Sequence, residues 1–501
     1  MQAGPDVSVL AVSFWRRRAG LINPSRLLHQ IYIFGLYGGG SPKSNPHRVG
    51  AILMTERRSL MTRTKCLILA LVATNGLALA QETPKASAAR DPMSDSQVAA
   101  AVERYLEREG VVRSSYGKKG FRLESRDGNF QTNLQWRAQL RATSPYRSDP
   151  RALDDFDTDQ LTAEGRRLRM KIGGHGYRPW LKYYFEVDLQ PTRSLDKSSS
   201  NASARVIDWR IDVAKNKAFG IRVGQWKIDY NRERVDSSGR QQFVERSIVN
   251  RVFTVDRQMG ISFRGRLFEG SGADLRYYAG AFTGEGRGVS NDDDNLMYVG
   301  RLQWNFLGRD LALRQTDVER TEKPTGTFAV GGATHTGRAT RWSSSGGGNL
   351  DGFDKVDAAL AGQYRIHQAV AEFAFKYQGF STQNEFHWKN IQDTTLSAGQ
   401  AGNDNDLYGY YTQFGYFFNE VFPSFPEELE LATRYAYLKE PNSNNLDLDN
   451  ERQEFTVAAN WFFNGHNNKL TLDYSFLTMD DGALGLDGDG SRVRLQWDIS
   501  F

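Results

Sequence analysis

Apolar and polar residues alternate along most of the chain from about residue 129 onward. Segment 133–142 carries Leu134, Trp136, Ala138 and Leu140 on one face and Gln135, Arg137, Gln139 and Arg141 on the other. Successive side chains of a strand point to opposite sides, so each such segment is predicted to be a β-strand with one apolar face. Roughly sixteen such runs follow one another to the end of the chain, a number typical of transmembrane barrels.

The connections between these runs are of two kinds. Some are tight, at 173–176, 215–217 and 464–468, and others are long and polar, at 144–164, 192–203, 284–295, 337–352 and 440–451. Short turns at one rim and long loops at the other are typical of an antiparallel barrel that crosses a membrane. A soluble propeller or sandwich would also alternate.

The last run, 492–501, favours the membrane barrel. It places Val493, Leu495, Trp497, Ile499 and Phe501 on one face, and its ten or so residues suffice to cross a bilayer at a tilt. A terminal aromatic on such a strand resembles the signal that bacterial barrel assembly machinery reads. We therefore expect outer-membrane lipid around the chain and an interaction of Phe501 with that machinery.

One long connection stands out, between the alternating residues Ile221 and Val223 and the alternating residues Ile261 and Phe263. It is too polar to be a strand, and structureless connections of its length are uncommon in compact domains unless they are functional. Its cations are Lys227, Arg232, Arg234, Arg240, Arg246, Arg251 and Arg257. The hypothesis is that this loop folds into the barrel and narrows an anion-conducting pore; the alternative is a solvated surface loop.

The strand pattern places further cations on the polar face. If Leu168, Met170 and Ile172 face lipid, then Arg167, Arg169 and Lys171 face the lumen, and the same rule applies to Arg222, Arg264, Arg266 and Arg276. Stacked basic side chains would give anions a series of moderate binding sites. The alternative is that these cations brace the barrel by pairing with lumen acids such as Glu186, Asp188, Asp208 and Asp212.

Arginine suits phosphate-like anions, because its planar fork donates two parallel hydrogen bonds to tetrahedral oxygens. Ser237 and Ser238 could add neutral donors, and Asp236 or Asp229 could accept the proton of a monoprotonated phosphate.

Composition and the start of the chain set the compartment. A mean hydropathy of −0.57 is too polar for a helical membrane protein but fits a barrel with a polar lumen. Residues 61–80 read as a signal peptide, with a basic start, an apolar run and a small-residue cleavage pattern, and this segment contains the single cysteine, Cys66. Residues 1–60 are then an extension that is not part of the mature fold. Residues 81–120 are predicted to be a periplasmic segment with a short helix and a linker, and residues 121–501 the barrel.

Charge excludes one class of partner. The sequence pI of about 9.0 comes largely from basic residues in 1–80, and the rest of the chain is close to neutral, so we expect no nucleic-acid binding.

Three segments resemble the phosphate-selective porin O/P family of Gram-negative bacteria. They are 165–174 (GRRLRMKIGG), 222–227 (RVGQWK) and the part of the long connection from 232 to 246. The resemblance implies a trimeric sixteen-stranded barrel whose third loop folds inward, with an arginine ladder leading to a central anion site. Carried over by motif, the strand arginines are Arg166 and Arg167, the basic loop residue is Arg234, the serine pair is Ser237 and Ser238, and the loop arginine is Arg246. Arg234 stands where lysine is usual, and Arg232 and Arg240 are additional.

The prediction is therefore an all-β chain, a transmembrane antiparallel barrel that takes up inorganic phosphate or polyphosphate passively, as a homotrimer and without a cofactor. The candidate anion-binding residues are Arg166, Arg167, Arg169, Lys171, Arg222, Lys227, Arg232, Arg234, Ser237, Ser238, Arg240, Arg246, Arg264 and Arg266. One alternative is a general small-solute porin without phosphate selectivity. The other is a barrel enzyme such as a lipase or protease, which is disfavoured because no His/Ser/Asp spacing recurs on a face; no catalytic or metal-binding residue is predicted.

Overall fold

The computed structural model describes residues 94–110, 112–189, 204–291, 293–344 and 346–501. The predicted extension 1–60, the signal peptide 61–80 with Cys66, and the predicted loop 192–203 lie outside these residues. Within the described part of the chain, no helix has the length and apolar content needed to span a membrane.

The described chain begins with a helix and a small hairpin. Helix α1 (Asp95–Arg108) is followed by β1 (Arg113–Gly117) and β2 (Gly120–Glu124), which pair with each other. Strand β2 also pairs with the start of the next strand, placing Phe121 opposite Leu134. The helix lies where the sequence predicted a short one.

Sixteen strands then run in alternating directions. The first eight are β3 (Gln131–Ser144), β4 (Thr162–His175), β5 (Leu181–Asp188), β6 (Arg205–Val213), β7 (Gly220–Lys227), β8 (Arg257–Leu267), β9 (Leu275–Phe282) and β10 (Met297–Trp304). The other eight are β11 (Thr325–Gly337), β14 (Tyr364–Tyr377), β15 (Phe380–Asp393), β16 (Asp404–Tyr416), β17 (Leu429–Pro441), β18 (Asp449–Asn464), β19 (Asn468–Asp481) and β20 (Leu486–Ser500). A short pair, β12 (Arg341–Ser343) and β13 (Gly346–Gly348), lies in the connection between β11 and β14.

The sheet closes on itself. Each of the sixteen strands pairs antiparallel with its neighbours in the chain, and β20 pairs with β3, with Trp497 opposite Leu140. Beyond the strand, the backbone of Phe501 exchanges two hydrogen bonds with that of Trp136, at 2.9 and 3.0 Å. Closure leaves no free sheet edge among the sixteen, which a barrel in lipid requires.

Burial is inverted relative to a soluble protein. On β10 the outward residues Leu302 and Trp304 are 49% and 46% exposed, whereas Arg301 and Gln303 are 4% and 2% exposed. The same alternation of exposed apolar and buried polar side chains recurs around β14 to β20. Apolar residues outside and polar residues inside are the pattern of a barrel surrounded by lipid.

The two rims differ. One carries the connections 145–161, 228–256, 283–296 and 338–363, and the other carries short turns such as 176–180, 378–379 and 465–467. The predicted asymmetry of loops and turns is therefore present. One connection at the short-turn rim, 305–324, is long, and the sequence pattern did not single it out.

Candidate functional site

The connection 228–256, called the constriction loop below, occupies the interior of the barrel. Every one of its residues is buried or half-buried. It includes two short helices, α2 (Arg232–Val235) and α3 (Val249–Phe253). Its apolar residues, among them Tyr230 and Phe253, join one buried cluster with inward-facing residues of the wall such as Ile366 and Ile391. Burial of these side chains holds both ends of the loop against the wall.

Carboxylates of β15, β18 and β19 hold the side of the loop that faces these strands, through backbone N–H groups of the loop. Glu385 on β15 accepts a hydrogen bond from the N–H of Glu233 at 2.6 Å, and Asp473 on β19 accepts one from the N–H of Val244 at 2.9 Å. Glu454 on β18 accepts one from the N–H of Ile248 at 3.1 Å. Charge-assisted bonds of this kind satisfy loop donors that have no strand partner.

Arginines of β3 hold the opposite side of the loop, which faces β3. Arg137 donates to the hydroxyls of Ser237 and Ser238 at 3.0 and 2.6 Å, and Arg141 donates to the carbonyl of Val244 at 3.1 Å. Glycine at position 239 permits this approach, because a Cβ there would lie 3.0 Å from Cδ and Nη1 of Arg137. The loop thus bridges the lumen from β3 to β15–β19.

A cavity of about 660 Å³ remains between the loop and the wall of β3 to β8. Six of the side chains that line it are Lys171, Tyr184, Asp208, Lys227, Ser237 and Arg240. The cavity therefore lies on one side of the constriction loop, and both wall and loop contribute cations to it.

Many of the predicted site residues are paired with acids. Arg169 contacts Glu186 at 3.0 Å and Asp188 at 3.1 Å, and Arg222 contacts Asp212 at 2.5 Å. Three further candidates pair in the same way: Arg234 with Asp256, Arg264 with Asp229, and Arg266 with both Asp274 and Glu269. For these residues the bracing interpretation describes the contacts.

Three arginines share one carboxylate. Arg141, Arg166 and Arg167 lie 2.9, 3.3 and 3.2 Å from Oε1 of Glu245 in the loop. Alternation alone would direct Arg166 outward, beside Leu168. A register shift between β3 and β4 inserts Arg166 as an extra residue, so that it and Arg167 both reach the loop. This cluster keeps excess positive charge.

Five of the cations in and around the constriction loop are of interest because none has a carboxylate oxygen within 4.0 Å among the described residues: Arg137, Lys171, Lys227, Arg240 and Arg246. Lys227 donates to the carbonyls of Arg234 and Asp236, each at 3.0 Å, and Arg246 donates to those of Glu233 and Asp236. Within the described part of the chain, the side chains of Lys171 and Arg240 form neither a hydrogen bond nor an ion pair. These five are called the open cations.

The other candidates lie elsewhere on the loop. Arg232 is buried against β14 and β15, where its Nε donates to Gln383 at 3.1 Å and its backbone N–H to Glu372 at 3.0 Å. It is remote from the cavity lining. Sequence reasoning did not select Arg137, Arg141 or Glu245, although Arg137 and Arg141 share the lumen face of β3 in the alternating pattern.

Two further observations complete the chemistry of the site. Among the described residues, no group of three or more His, Cys, Asp or Glu side chains is arranged to hold a metal ion. His387 on β15 stacks on Phe253 of the loop and contacts Glu385 at 3.0 Å, so it belongs to the anchoring of the loop.

A closed barrel with an apolar exterior, a polar interior and a loop folded across its lumen defines an outer-membrane channel. The model of the family "Phosphate-selective porin O and P" matches residues 140–499, and the chain belongs to this family. It is therefore a porin of the Gram-negative outer membrane, a channel rather than an enzyme.

Solved porin structures are similar at low identity. OmpT of Vibrio cholerae aligns with a TM-score of 0.47 at 8% identity, over 74% of this chain and 97% of that one. The channel DcaP of Acinetobacter baumannii gives 0.45 at 12%, over 74% and 97%. An anion-selective porin from Comamonas acidovorans gives 0.45 at 10%, over 74% and 99%. No curated protein matches the sequence.

Proposed function

We propose that this porin passes anions in preference to cations and takes up phosphate or a similar oxyanion through the cavity beside the constriction loop. The observation that carries the proposal is the set of open cations. Lys171 and Arg240 line the cavity, and neither has a carboxylate partner among the described residues. Their donors are free to bind an oxyanion, and Ser237 of the constriction loop adds a hydroxyl to the lining of the same cavity.

The paired arginines limit how tightly an anion is held. Asp208, Asp212 and Asp229 also line the cavity, beside Arg257, Arg222 and Arg264. Conduction requires binding strong enough for entry and weak enough for release. Acids among the cations lower the net attraction, so the bound anion can leave toward either rim.

The test is electrical. In a planar bilayer with a salt gradient, the reversal potential of the purified porin should report anion over cation selectivity. Added phosphate should then reduce the chloride current at concentrations well below that of chloride. Cation selectivity would overturn the anion proposal. Anion selectivity without block by phosphate would leave the alternative of a general small-solute porin.

We further propose that the porin forms a homotrimer through the wall of short strands. Strands β5, β7, β9 and β10 have 8 residues each, whereas β14 to β20 have 13 to 16. A strand needs about 9–11 residues to cross the hydrocarbon. These short strands do not reach across the full hydrocarbon thickness, so a second copy packed against them would cover a wall that lipid cannot match in height. Native mass spectrometry of the extracted protein should give three chains, and a monomer would contradict this.

A further inference from the structure

The long connection 305–324 enters the barrel from the rim of short turns. Short turns are the rule at this rim, yet this connection has its own buried residues, Leu311, Gln315, Thr316 and Asp317. Burial of polar side chains in a connecting segment requires partners. Those partners lie partly in the wall and partly in the constriction loop.

The wall holds the segment at three places. Lys376 on β14 donates to the carbonyl of Thr316 at 2.6 Å, and Asp317 accepts from the N–H of Gly379, in the turn between β14 and β15, at 2.9 Å. Arg320 contacts Glu420 in the next turn of this rim at 2.8 Å. The segment is thereby fixed to the barrel at its outer end.

The middle of the segment, which reaches furthest into the lumen, contacts the constriction loop. The side-chain amide of Gln315 accepts from the N–H of Gln242 at 2.7 Å and donates to Oε1 of Gln241 at 2.8 Å. Arg232 of the loop donates to the carbonyl of Ala312. One buried glutamine therefore bonds to two consecutive loop residues, and it is 2% exposed.

The contacted residues form the tip of the loop. On the wall side, Gln242 donates to Glu430 at 2.8 Å, and Lys469 donates to the carbonyl of Gln241. Ser237 and Arg240, which line the cavity, closely precede these two glutamines. The position of the tip therefore fixes how far the cavity-lining part of the loop reaches toward β4–β8.

We propose that segment 305–324 is a strut that holds the constriction loop from the short-turn side, and that Gln315 is the positioning residue through which it acts. The strut sets the width of the opening and the alignment of the open cations without touching the permeating ion. This inference rests on the proposed function only for its electrical readout, because the position of the loop can be followed independently.

The experiment uses Gln315→Met, which nearly preserves volume and removes both hydrogen bonds. Gln241→Met removes one of them, and the double variant completes a mutant cycle. The matched control is Gln225→Met, a buried glutamine of β7 that donates to the carbonyl of Ile207 and accepts from the N–H of Gly288; both of these bonds lie outside the constriction loop and segment 305–324. Faster migration of unheated protein on gels establishes that each variant is folded.

The first readout is hydrogen exchange of the peptide covering 236–246 in the full-length porin. We expect exchange several-fold faster in Gln315→Met than in wild type and in Gln225→Met. In the cycle, the two single effects should not add, because both variants break the same bridge. Exchange equal to that of the control would overturn the proposal, whatever the ion selectivity of the channel proves to be.

The second readout is the bilayer recording. Gln315→Met should raise the single-channel conductance in potassium chloride and raise the phosphate concentration for half-block by about 2–5-fold. A residue that only stabilised the barrel would change the yield of folded protein and leave both values unchanged. Unchanged conductance with faster exchange would refute the positioning role of Gln315.

Discussion

At the level of single side chains, acid partners divide the lumen cations into two kinds. Arg222 forms an ion pair with Asp212, and Arg234 forms one with Asp256, each at 2.5 Å. Arg240 has no such partner among the described residues and lines the cavity. A guanidinium whose donors are free can offer them to an oxyanion, whereas a paired one must first lose its carboxylate. Oxyanion affinity should therefore depend on the unpaired kind.

Replacement of Arg240 by glutamine tests this division. Loss of a charge-assisted contact of about 1.5–3 kcal/mol should raise the phosphate concentration for half-block of chloride current by roughly tenfold or more. Arg365→Gln is the matched control, because Arg365 is an exposed residue of β14 on the outward face. Equal effects of the two substitutions would mean that general surface charge, and not the site, governs the block.

The sequence predicted which strand arginines face the lumen and named acids that could pair with them, but it did not assign one acid to one arginine. Alternation was sufficient for Arg167 and Arg169, since a regular strand repeats every two residues. The inward position of Arg166 depends on a register shift against β3, and the acid partner of Arg169 depends on how β4 pairs with β5. Both are properties of two strands together, which one strand's pattern does not contain.

At the level of elements, the constriction loop is held by buried carboxyl groups. Glu233 in α2 accepts from the N–H and hydroxyl of Ser247, at 2.8 and 3.0 Å, and its own N–H bonds to Glu385. Burial and the neighbouring charge of Glu385 raise the pKa of Glu233 to about 7. Folding therefore increases the affinity of Glu233 for its proton relative to the unfolded chain.

This gives the loop a pH dependence with a definite sign. Because the folded pKa lies above the ordinary value of 4.5, the folded protein binds the proton more tightly, and stability rises as pH falls from above 7 toward 4.5. Each tenfold difference in proton affinity between the folded and unfolded states corresponds to about 1.4 kcal/mol of stability. Thermal unfolding at pH 8 and pH 5.5 should show a gain in wild type that Glu233→Gln lacks. Exposed Glu322→Gln serves as control, and an equal gain in both variants would contradict this account.

The constriction loop and segment 305–324 differ in whether the sequence predicts that they enter the lumen. The constriction loop was predicted from its length and its run of cations between two alternating segments. Segment 305–324 was not, because it is polar, lacks periodicity and reads as a surface connection. Its inward course comes from contacts such as Gln315 with Gln242, which depend on the loop already being in the lumen.

At the level of the whole molecule, the last strand completes the barrel. Strand β20 pairs with both β19 and β3, and the backbone of Phe501 adds two bonds to Trp136. Pairing in lipid must be complete, since each unsatisfied backbone group costs several kcal/mol there. The ring of Phe501 contributes little to this closure, because it is 53% exposed.

The variant Phe501→Ser therefore distinguishes a role of the ring in barrel folding from a role in recognition by the barrel assembly machinery. The backbone bonds of residue 501 do not need the ring, so purified denatured protein should refold into detergent as well as wild type does. If the barrel assembly machinery binds the ring, the variant should accumulate less in the outer membrane of cells. The measurement is the folded fraction on unheated gels from membranes and from refolding in parallel. Leu495→Ser, on the same face within the lipid-facing strand, should impair both, and a Phe501 variant that fails equally in both would assign the ring to closure instead.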